Sequence, residues 1–371
     1  MHTRSETAEL PGEYADADRA TLERRIAARK EELGERVVIL AHHYQRDEVF
    51  QFADFTGDSL KLSRQAAEQH RAEFIVFCGV HFMAESADIL SAPHQRVCLP
   101  NMAAGCAMAD MAEHADVAEA LEELGQATDE PIVPVTYVNS TAAIKALTGR
   151  AGGACCTSSN VRKVFDWALR ATDDGGAAAR KILAVPDQHL ARNTAVAMGF
   201  GEDDLAVYDP QLPLGGLRAN DVDRATFVLW KGHCYVHQFF TLPDVQRVRR
   251  AEPDATIMVH PECPREVVDA ADRAGSTEQI RAAVADGPPQ SRWVIGTESN
   301  MVNRLAREHP DKSVRVLSGG PATCVQMSRI DLPHLLWTLD CIAAGTPVNV
   351  VRVDEPVAAD ARTALERMIA I

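Results

Sequence analysis

The feature that most constrains the fold of this chain is a series of short apolar runs, each followed by polar residues and then by a helix-forming segment. The clearest run, at 37–41, is continuously apolar, as is typical of strands buried on both faces in a parallel sheet. Further strands are predicted at 74–78, 132–138, 181–185, 225–229, 256–259 and 293–295, and helices at 22–33, 59–70 and from 84 onward. This alternation predicts an α/β fold with parallel sheets.

Most of the predicted strands end in side chains that can carry chemistry. They are His42, Tyr44, His81, Tyr137, Asn139, His237, His260 and Glu262. A single histidine at a strand end is more often a hydrogen-bonding partner of a carbonyl group than a functional residue. Because ligands of open α/β sheets bind beyond the carboxyl ends of the strands, several such residues together favour a shared polar cleft. Groups of this kind suit acid–base catalysis on a carbonyl or an imine.

Three predicted helix starts carry hydroxyl or carboxylate side chains. They are Asp58 with Ser59, the run 157–160 (TSSN), and Ser276 with Thr277. Helix capping alone explains these residue types. The alternative is that the amides and hydroxyls at these helix starts bind a carboxylate or phosphate. Three such starts would suit a substrate with several acidic groups.

The nine cysteines do not indicate a disulfide framework, because their number is odd in a large chain that shows no secretory signal. No CxxC pair occurs, so neither a zinc ribbon nor a thioredoxin-like motif is indicated. Most of them are expected to be small buried apolar side chains. Cys106, Cys234 and Cys324 differ, since each follows a glycine or a turn. Three thiolates could hold an iron–sulfur cluster with one iron open as a Lewis acid. Their wide spacing matches no local motif, so the pattern leaves both interpretations open.

The formal net charge of −15 argues against a nucleic-acid or anionic-membrane partner. It still allows a local basic pocket for a small anion. Residues 1–19 lack the basic start and apolar stretch of a secretory signal, and no apolar run is long enough to cross a bilayer. We therefore expect a flexible lead-in over 1–19 and a cytoplasmic protein. The glycine-rich stretches 149–153 and 175–179 predict surface loops.

Seven motifs, in this order along the chain, resemble the quinolinate synthetase A family. They are 41–45 (AHHYQ), 54–60 (DFTGDSL), 77–85 (FCGVHFMAE), 137–139 (YVN), 156–160 (CTSSN), 260–263 (HPEC) and 275–277 (GST). The resemblance covers about residues 36–345. It implies three similar α/β/α domains with parallel sheets around a pseudo-threefold axis and an active site at the centre. The expected domain boundaries are 20–115, 116–240 and 241–345, followed by a C-terminal segment at 346–371.

The resemblance also implies an activity, the condensation of iminoaspartate with dihydroxyacetone phosphate to quinolinate in de novo NAD biosynthesis. It implies a [4Fe–4S] cluster held by Cys106, Cys234 and Cys324, with Cys156 and Cys263 as non-ligands. Tyr44, Glu262 and Ser159 are the expected catalytic residues. The expected substrate-binding residues are His42, Ser59, Tyr137, Asn139, Ser158, His237, His260 and Thr277. An aspartate oxidase or dehydrogenase is the natural supplier of iminoaspartate.

The chain departs from the family pattern at three places. His43 stands where many members have asparagine, Cys324 lacks the CxxCxxC motif that some members carry, and 149–154 is longer than usual. One alternative enzyme is a zinc- or iron-dependent aldolase or dehydratase with histidine and glutamate ligands. A DNA-binding iron–sulfur sensor is disfavoured by the acidic charge. An α/β protein with scattered cysteines would leave the ordered motifs unexplained.

Overall fold

The computed structural model of the protein describes residues 9–170 and 181–371. The strands are β1 Val37–His42, β2 Phe55–Gly57, β3 Phe74–Cys78, β4 Arg96–Cys98, β5 Ile132–Tyr137, β6 Ala154–Cys156, β7 Lys181–Val185, β8 Leu205–Tyr208, β9 Phe227–Trp230, β10 Thr256–Val259, β11 Arg273–Ala274, β12 Arg292–Gly296, β13 Ser313–Val316 and β14 Val350–Val351. They form three sheets. The predicted α/β class is confirmed.

The helices lie before, between and after the strands. They are α1 Gly12–Ala15, α2 Arg19–Leu33, α3 Asp47–Phe50, α4 Ser59–Glu68, α5 His81–Leu90, α6 His114–Ala127, α7 Ala142–Arg150, α8 Val161–Arg170, α9 Gln188–Ala197, α10 Ala219–Arg224, α11 Tyr235–Gln238, α12 Leu242–Ala251, α13 Arg265–Ala270, α14 Thr277–Asp286, α15 Ser299–Glu308, α16 Leu332–Ala343 and α17 Glu355–Ala370. Among the described residues, no helix combines the length and the apolar character that crossing a membrane requires.

The chain divides into two compact units. Unit 1 comprises the described residues up to Cys106 together with Thr323–Asp354. Its sheet has the order β14-β4-β3-β1-β2 and is parallel except for β14. All six residues of β1 are buried, as predicted for a strand covered on both faces. Of the expected lead-in 1–19, residues 1–8 lie outside the described part, while α1 buries Tyr14.

Unit 2 comprises Ala107–Ala322 and Glu355–Ile371 and contains two parallel sheets. Their orders are β6-β5-β7-β9-β8 and β11-β10-β12-β13. In a parallel sheet all carboxyl ends lie at one edge, so β5, β7 and β9 deliver their following residues to the same edge. The next sheet delivers those after β10 and β12 in the same way.

The C-terminal helix α17 packs against α7 in unit 2. At the closest approach, a Cβ atom on Gly149 would lie 2.0 Å from the carbonyl oxygen of Asp360. Only glycine therefore fits at this position of α7. The predicted surface loop at 149–153 is wrong at its start, because Gly149 is a buried helical residue. The other predicted loop, 175–179, lies outside the described residues.

Candidate active site

A buried cluster of two histidines and a carboxylate lies within unit 2. His260 and Glu262 follow β10, whereas His237 belongs to α11, which follows β9 of the other sheet. Oε2 of Glu262 lies 2.8 Å from Nδ1 of His237 and 3.1 Å from Nδ1 of His260. The two imidazole rings stack with their centroids 4.4 Å apart. All three side chains are almost completely buried, so the cluster is held away from bulk water.

The electrostatics of this cluster favour an ionised Glu262. Burial raises the pKa of Glu262, but the neighbouring charges of His237 and His260 outweigh burial and lower it. Burial and the charge of His260 lower the pKa of His237, and Glu262 offsets this only in part. A second positive charge is therefore disfavoured beside the first. We therefore expect the carboxylate of Glu262 to be ionised in this environment.

A second buried carboxylate, Asp187, stands beside this cluster. Its Oδ1 accepts a hydrogen bond of 2.6 Å from the amide of Leu190, so Asp187 caps α9. Burial and the negative charge of Glu262 raise its pKa well above the usual range, although the amides of Leu190, His189 and Cys234 oppose this shift. The pKa values of the two buried carboxylates are therefore shifted in opposite directions.

The serine-rich helix starts of unit 2 lie together, next to His260. Nε2 of His260 lies 3.2 Å from Oγ of Ser158, and Oγ of Ser159 donates a hydrogen bond of 2.8 Å to Oγ of Ser276. Ser276 also caps α14 through the amide of Gln279, so the capping explanation is correct for Ser276. The first residue of α14 is Thr277, which is buried. Hydroxyl groups that follow strands of both sheets thus meet here, and that of Ser158 lies against the imidazole.

Two further predicted residues follow β5 in the same unit. Tyr137 is the last residue of β5 and is buried. Asn139 lies two residues beyond it, and its buried Oδ1 has no hydrogen-bond partner within the described ranges 9–170 and 181–371. Because β5 and β9 run parallel in one sheet, Tyr137 and Asn139 lie at the edge that leads to His237.

In unit 1, His42 and Tyr44 lie at the carboxyl end of β1. The amide of Tyr44 donates a hydrogen bond of 3.2 Å to Nδ1 of His42, and the two rings meet edge to face with centroids 4.8 Å apart. Ser59 begins α4, directly after the neighbouring strand β2. The cap of α4 is Asp58, which accepts a hydrogen bond from the amide of Lys61. These three predicted residues therefore share one sheet edge.

The cysteines fall into two groups by burial. Five are buried, and burial raises the pKa of each thiol; they are Cys78, Cys98, Cys155, Cys156 and Cys263. Such thiols behave as apolar side chains. Cys106, Cys234 and Cys324 are only partly buried and lie outside the described strands and α-helices, whereas the partly buried Cys341 belongs to α16. Three accessible loop cysteines fit the donor set of an iron–sulfur cluster.

Sequence reasoning did not select three residues that shape the Glu262 cluster. Asp187 follows β7, and Thr297 follows β12 with its Oγ1 3.3 Å from Nε2 of His237. Both carry the strand-end signal that identified the other site residues. Asn193 lies in the middle of α9, and its Nδ2 donates to the carbonyl oxygens of Pro261 at 2.8 Å and Cys263 at 2.9 Å. No sequence signal marks Asn193.

The fold and the site define an α/β protein of the enzyme type, with acid–base side chains gathered at the carboxyl ends of parallel strands. The family model described as "Quinolinate synthetase A protein" matches residues 24–370. A quinolinate synthase of Geobacillus thermodenitrificans is 50% identical over 363 residues, covering 98% of this chain and 96% of the relative. A quinolinate synthase of Streptomyces coelicolor is 51% identical over 367 residues, covering 98% of this chain and 91% of the relative. This chain belongs to the quinolinate synthetase A family, as the resemblance indicated.

Proposed function

We propose that this protein is a quinolinate synthase that condenses iminoaspartate with dihydroxyacetone phosphate, with loss of phosphate and water, in de novo NAD biosynthesis. The observation that carries the proposal is the identity of about 50% to relatives of that name over 98% of the chain. Formation of a carbon–carbon bond places such an enzyme among the transferases. A cytoplasmic location and supply of iminoaspartate by an aspartate oxidase or dehydrogenase belong to the same proposal.

In this proposal Cys106, Cys234 and Cys324 hold a [4Fe–4S] cluster. The support is their partial burial in loops, in contrast to the five buried thiols. Such a cluster, when bound, supplies an open iron that acts as a Lewis acid toward substrate oxygen atoms. The arrangement of the three domains around a pseudo-threefold axis is part of the same proposal.

Glu262 is the proposed general base, because its ionised carboxylate is shielded from solvent between two imidazoles. His260 extends this contact to Ser158, so a proton can pass between the carboxylate and a hydroxyl group at the serine turn. Ser159 and Tyr44 complete the proposed set of proton donors and acceptors.

The remaining predicted residues bind the carboxylates and the phosphate of the substrates. Their hydroxyl, imidazole and amide groups can donate hydrogen bonds to anionic oxygen atoms. They are His42, Ser59, Tyr137, Asn139, Ser158, His237, His260 and Thr277. The amides at the starts of α8 and α14 add the positive ends of two helix dipoles, which favour an anion.

The experiment compares the wild type with Cys234→Ala, Cys341→Ala and Glu262→Gln, all purified without oxygen. We expect about four irons per chain, and quinolinate formation from the two substrates, in the wild type and in the Cys341→Ala control. Cys234→Ala should lose the iron, whereas Glu262→Gln should keep it and lose most activity. Iron-loaded wild type that makes no quinolinate would refute the function. Wild-type protein that holds no iron after reconstitution would refute the proposal of an iron–sulfur cluster.

A further inference from the structure

Three potential metal ligands of different chemistry lie close together within unit 2. They are the thiol of Cys234, the imidazole of His237 and the carboxylate of Glu262, whose ligand atoms all lie within 4.8 Å of one another. Sulfur, nitrogen and oxygen donors of these types bind Zn²⁺ and related divalent ions. Cys106 and Cys324 belong to unit 1 and are not members of this group.

We infer that, in the protein without its iron–sulfur cluster, Cys234, His237 and Glu262 bind one divalent metal ion of the zinc class, with water as the fourth ligand. This goes beyond the proposed function, which uses Cys234 only as one of three cysteine ligands. A single ion held in this way occupies Cys234. Divalent metal binding and cluster assembly therefore compete for the same thiolate.

The geometry needs only small movements of the ligands. A tetrahedral zinc ion with bonds of about 2.0–2.3 Å separates its ligand atoms by about 3.3–3.8 Å. The three ligand atoms already lie within 4.8 Å of one another. The pair Nδ1 of His237 and Oε2 of Glu262, at 2.8 Å, would open slightly to admit the ion. Side-chain rotation can provide shifts of this size without a change in the fold.

The surroundings of the ligands resemble those of a metal site. Nε2 of His237 lies 3.3 Å from Oγ1 of Thr297, which orients the ring so that Nδ1 faces Glu262. Histidine ligands of metals typically have an outer partner of this kind on the other ring nitrogen. The Oε1 atom of Glu262 is buried and has no hydrogen-bond partner among the residues that the structure describes. A cation would satisfy this buried oxygen, whose isolation is otherwise costly.

The backbone holds the ligands in place before an ion arrives. The turn before Cys234 is fixed by the amide of Gln188, which donates a hydrogen bond of 3.1 Å to the carbonyl of Gly232. Gly232 itself packs so closely that a Cβ atom would lie 2.1 Å from the carbonyl oxygen of Pro186. The turn that carries Glu262 is fixed by Asn193. Ligands supported in this way lose little freedom on binding.

The charge balance also favours a divalent cation. A carboxylate and a thiol both bind a metal ion in their deprotonated forms. The thiolate and the carboxylate then supply two negative charges in a buried place, which one divalent cation neutralises.

The test titrates the full-length, iron-free protein with Co²⁺, whose bond to a thiolate is visible by absorption, and then displaces Co²⁺ with Zn²⁺. We expect one Co²⁺ per chain with a thiolate band in the wild type, and equal affinity in the matched controls Cys106→Ala and Cys324→Ala. Cys234→Ala should lose the thiolate band. Because loss of an outer partner alone weakens metal sites about 10–100-fold, Glu262→Gln should weaken binding by at least about 100-fold, and Thr297→Val by about 10-fold.

Loss of Co²⁺ binding in Cys106→Ala or Cys324→Ala would overturn the inference, because the metal would then need the cysteines of unit 1. Unchanged affinity in Glu262→Gln or Cys234→Ala would also overturn it. If Glu262→Gln fails to fold, as judged by circular dichroism, Thr297→Val provides the test, since it removes only the hydroxyl beside His237. Unchanged Co²⁺ affinity in Thr297→Val would then overturn the inference. No iron and no substrate are present, so a negative result leaves the proposed quinolinate synthase activity untouched.

Discussion

Asn193 links the α9 helix to the turn that carries Glu262. Its Nδ2 donates to the carbonyl oxygens on both sides of Glu262, those of Pro261 and Cys263, at 2.8 and 2.9 Å. Asn193→Ala removes both donors and leaves the two carbonyl groups without them. We expect the turn to loosen and the carboxylate of Glu262 to leave its position between His237 and His260.

The expected loss of stability follows from the two hydrogen bonds. Each is worth about 0.5–1.5 kcal/mol net, so their removal should lower the free energy of unfolding by about 1–3 kcal/mol. The value should lie in the upper half of this range, because Asn193 is 4% exposed and Cys263 is fully buried. Water cannot easily replace the lost donors there.

Stability and kinetics together test the positioning role of Asn193. Urea unfolding should give the predicted loss, and kcat should fall at least about tenfold, which corresponds to about 1.4 kcal/mol of transition-state stabilisation. KM should change little, since Asn193 contacts the turn and not the proposed substrate-binding side chains. A purely structural role would lower stability and leave kcat unchanged in the fraction that remains folded.

The neighbouring residue provides a matched control. Oγ1 of Thr194 donates to the carbonyl oxygen of Leu190 within the same helix, and Thr194 is buried. Thr194→Val should therefore cost about 0.5–1.5 kcal/mol and leave kcat intact. If Asn193→Ala and Thr194→Val had equal kcat values, the assignment of Asn193 as a positioning residue would be refuted.

Two further predictions concern packing and pH. Gly149→Ala should destabilise the protein by about 1–3 kcal/mol, because the added Cβ meets the carbonyl oxygen of Asp360 at 2.0 Å. In contrast, Gly125→Ala in the open part of α6 should stabilise it by about 0.5–1 kcal/mol. Urea unfolding measures both changes, and a change of the same sign in the free energy of unfolding of the two variants would contradict the prediction. Burial, aided by the charge of His233, lowers the pKa of His189 from 6.5 to about 4. Between these two pH values His189 is protonated in the unfolded chain but not in the folded protein. The free energy of unfolding should therefore fall as the pH is lowered from 6.5 toward 4, by about 1–2 kcal/mol at pH 5. His189→Gln should remove this part of the loss in Tm between pH 7 and pH 5, and parallel Tm curves for the two proteins would show that His189 does not cause it.

The central strands could be predicted because burial on both faces leaves a continuous apolar run. The predictions at 74–78, 181–185 and 256–259 coincide with β3, β7 and β10. The short strands at or near the sheet edges could not be found in this way. The strand β6, for example, has three residues and follows a glycine-rich stretch, so its local sequence resembles a turn. It becomes a strand because it pairs with β5.

The sequence predicts candidate site residues one by one, but not the contacts between them. His260 and Glu262 are candidates because they follow a strand, and Ser158 because it precedes a helix. The contacts of His260 with Ser158, and of Ser159 with Ser276, join two different sheets. Local patterns carry no information on which sheet edges meet. Asn193 was missed for the same reason, since its partners lie about seventy residues away along the chain.

The two buried carboxylates of this site show why residue type alone does not assign a role. Glu262 faces two imidazoles, and these hold its pKa below the usual range. Asp187 faces Glu262 and backbone amides, and its pKa is raised well above that range. Because two negative charges in one buried place repel each other, ionisation of Glu262 beside its imidazoles disfavours ionisation of Asp187. Of the two carboxylates, Glu262 is therefore the one whose ionised form fits the proposed role of general base. Asp187, which caps α9 beside the amide of Cys234, serves to fix the loops around it.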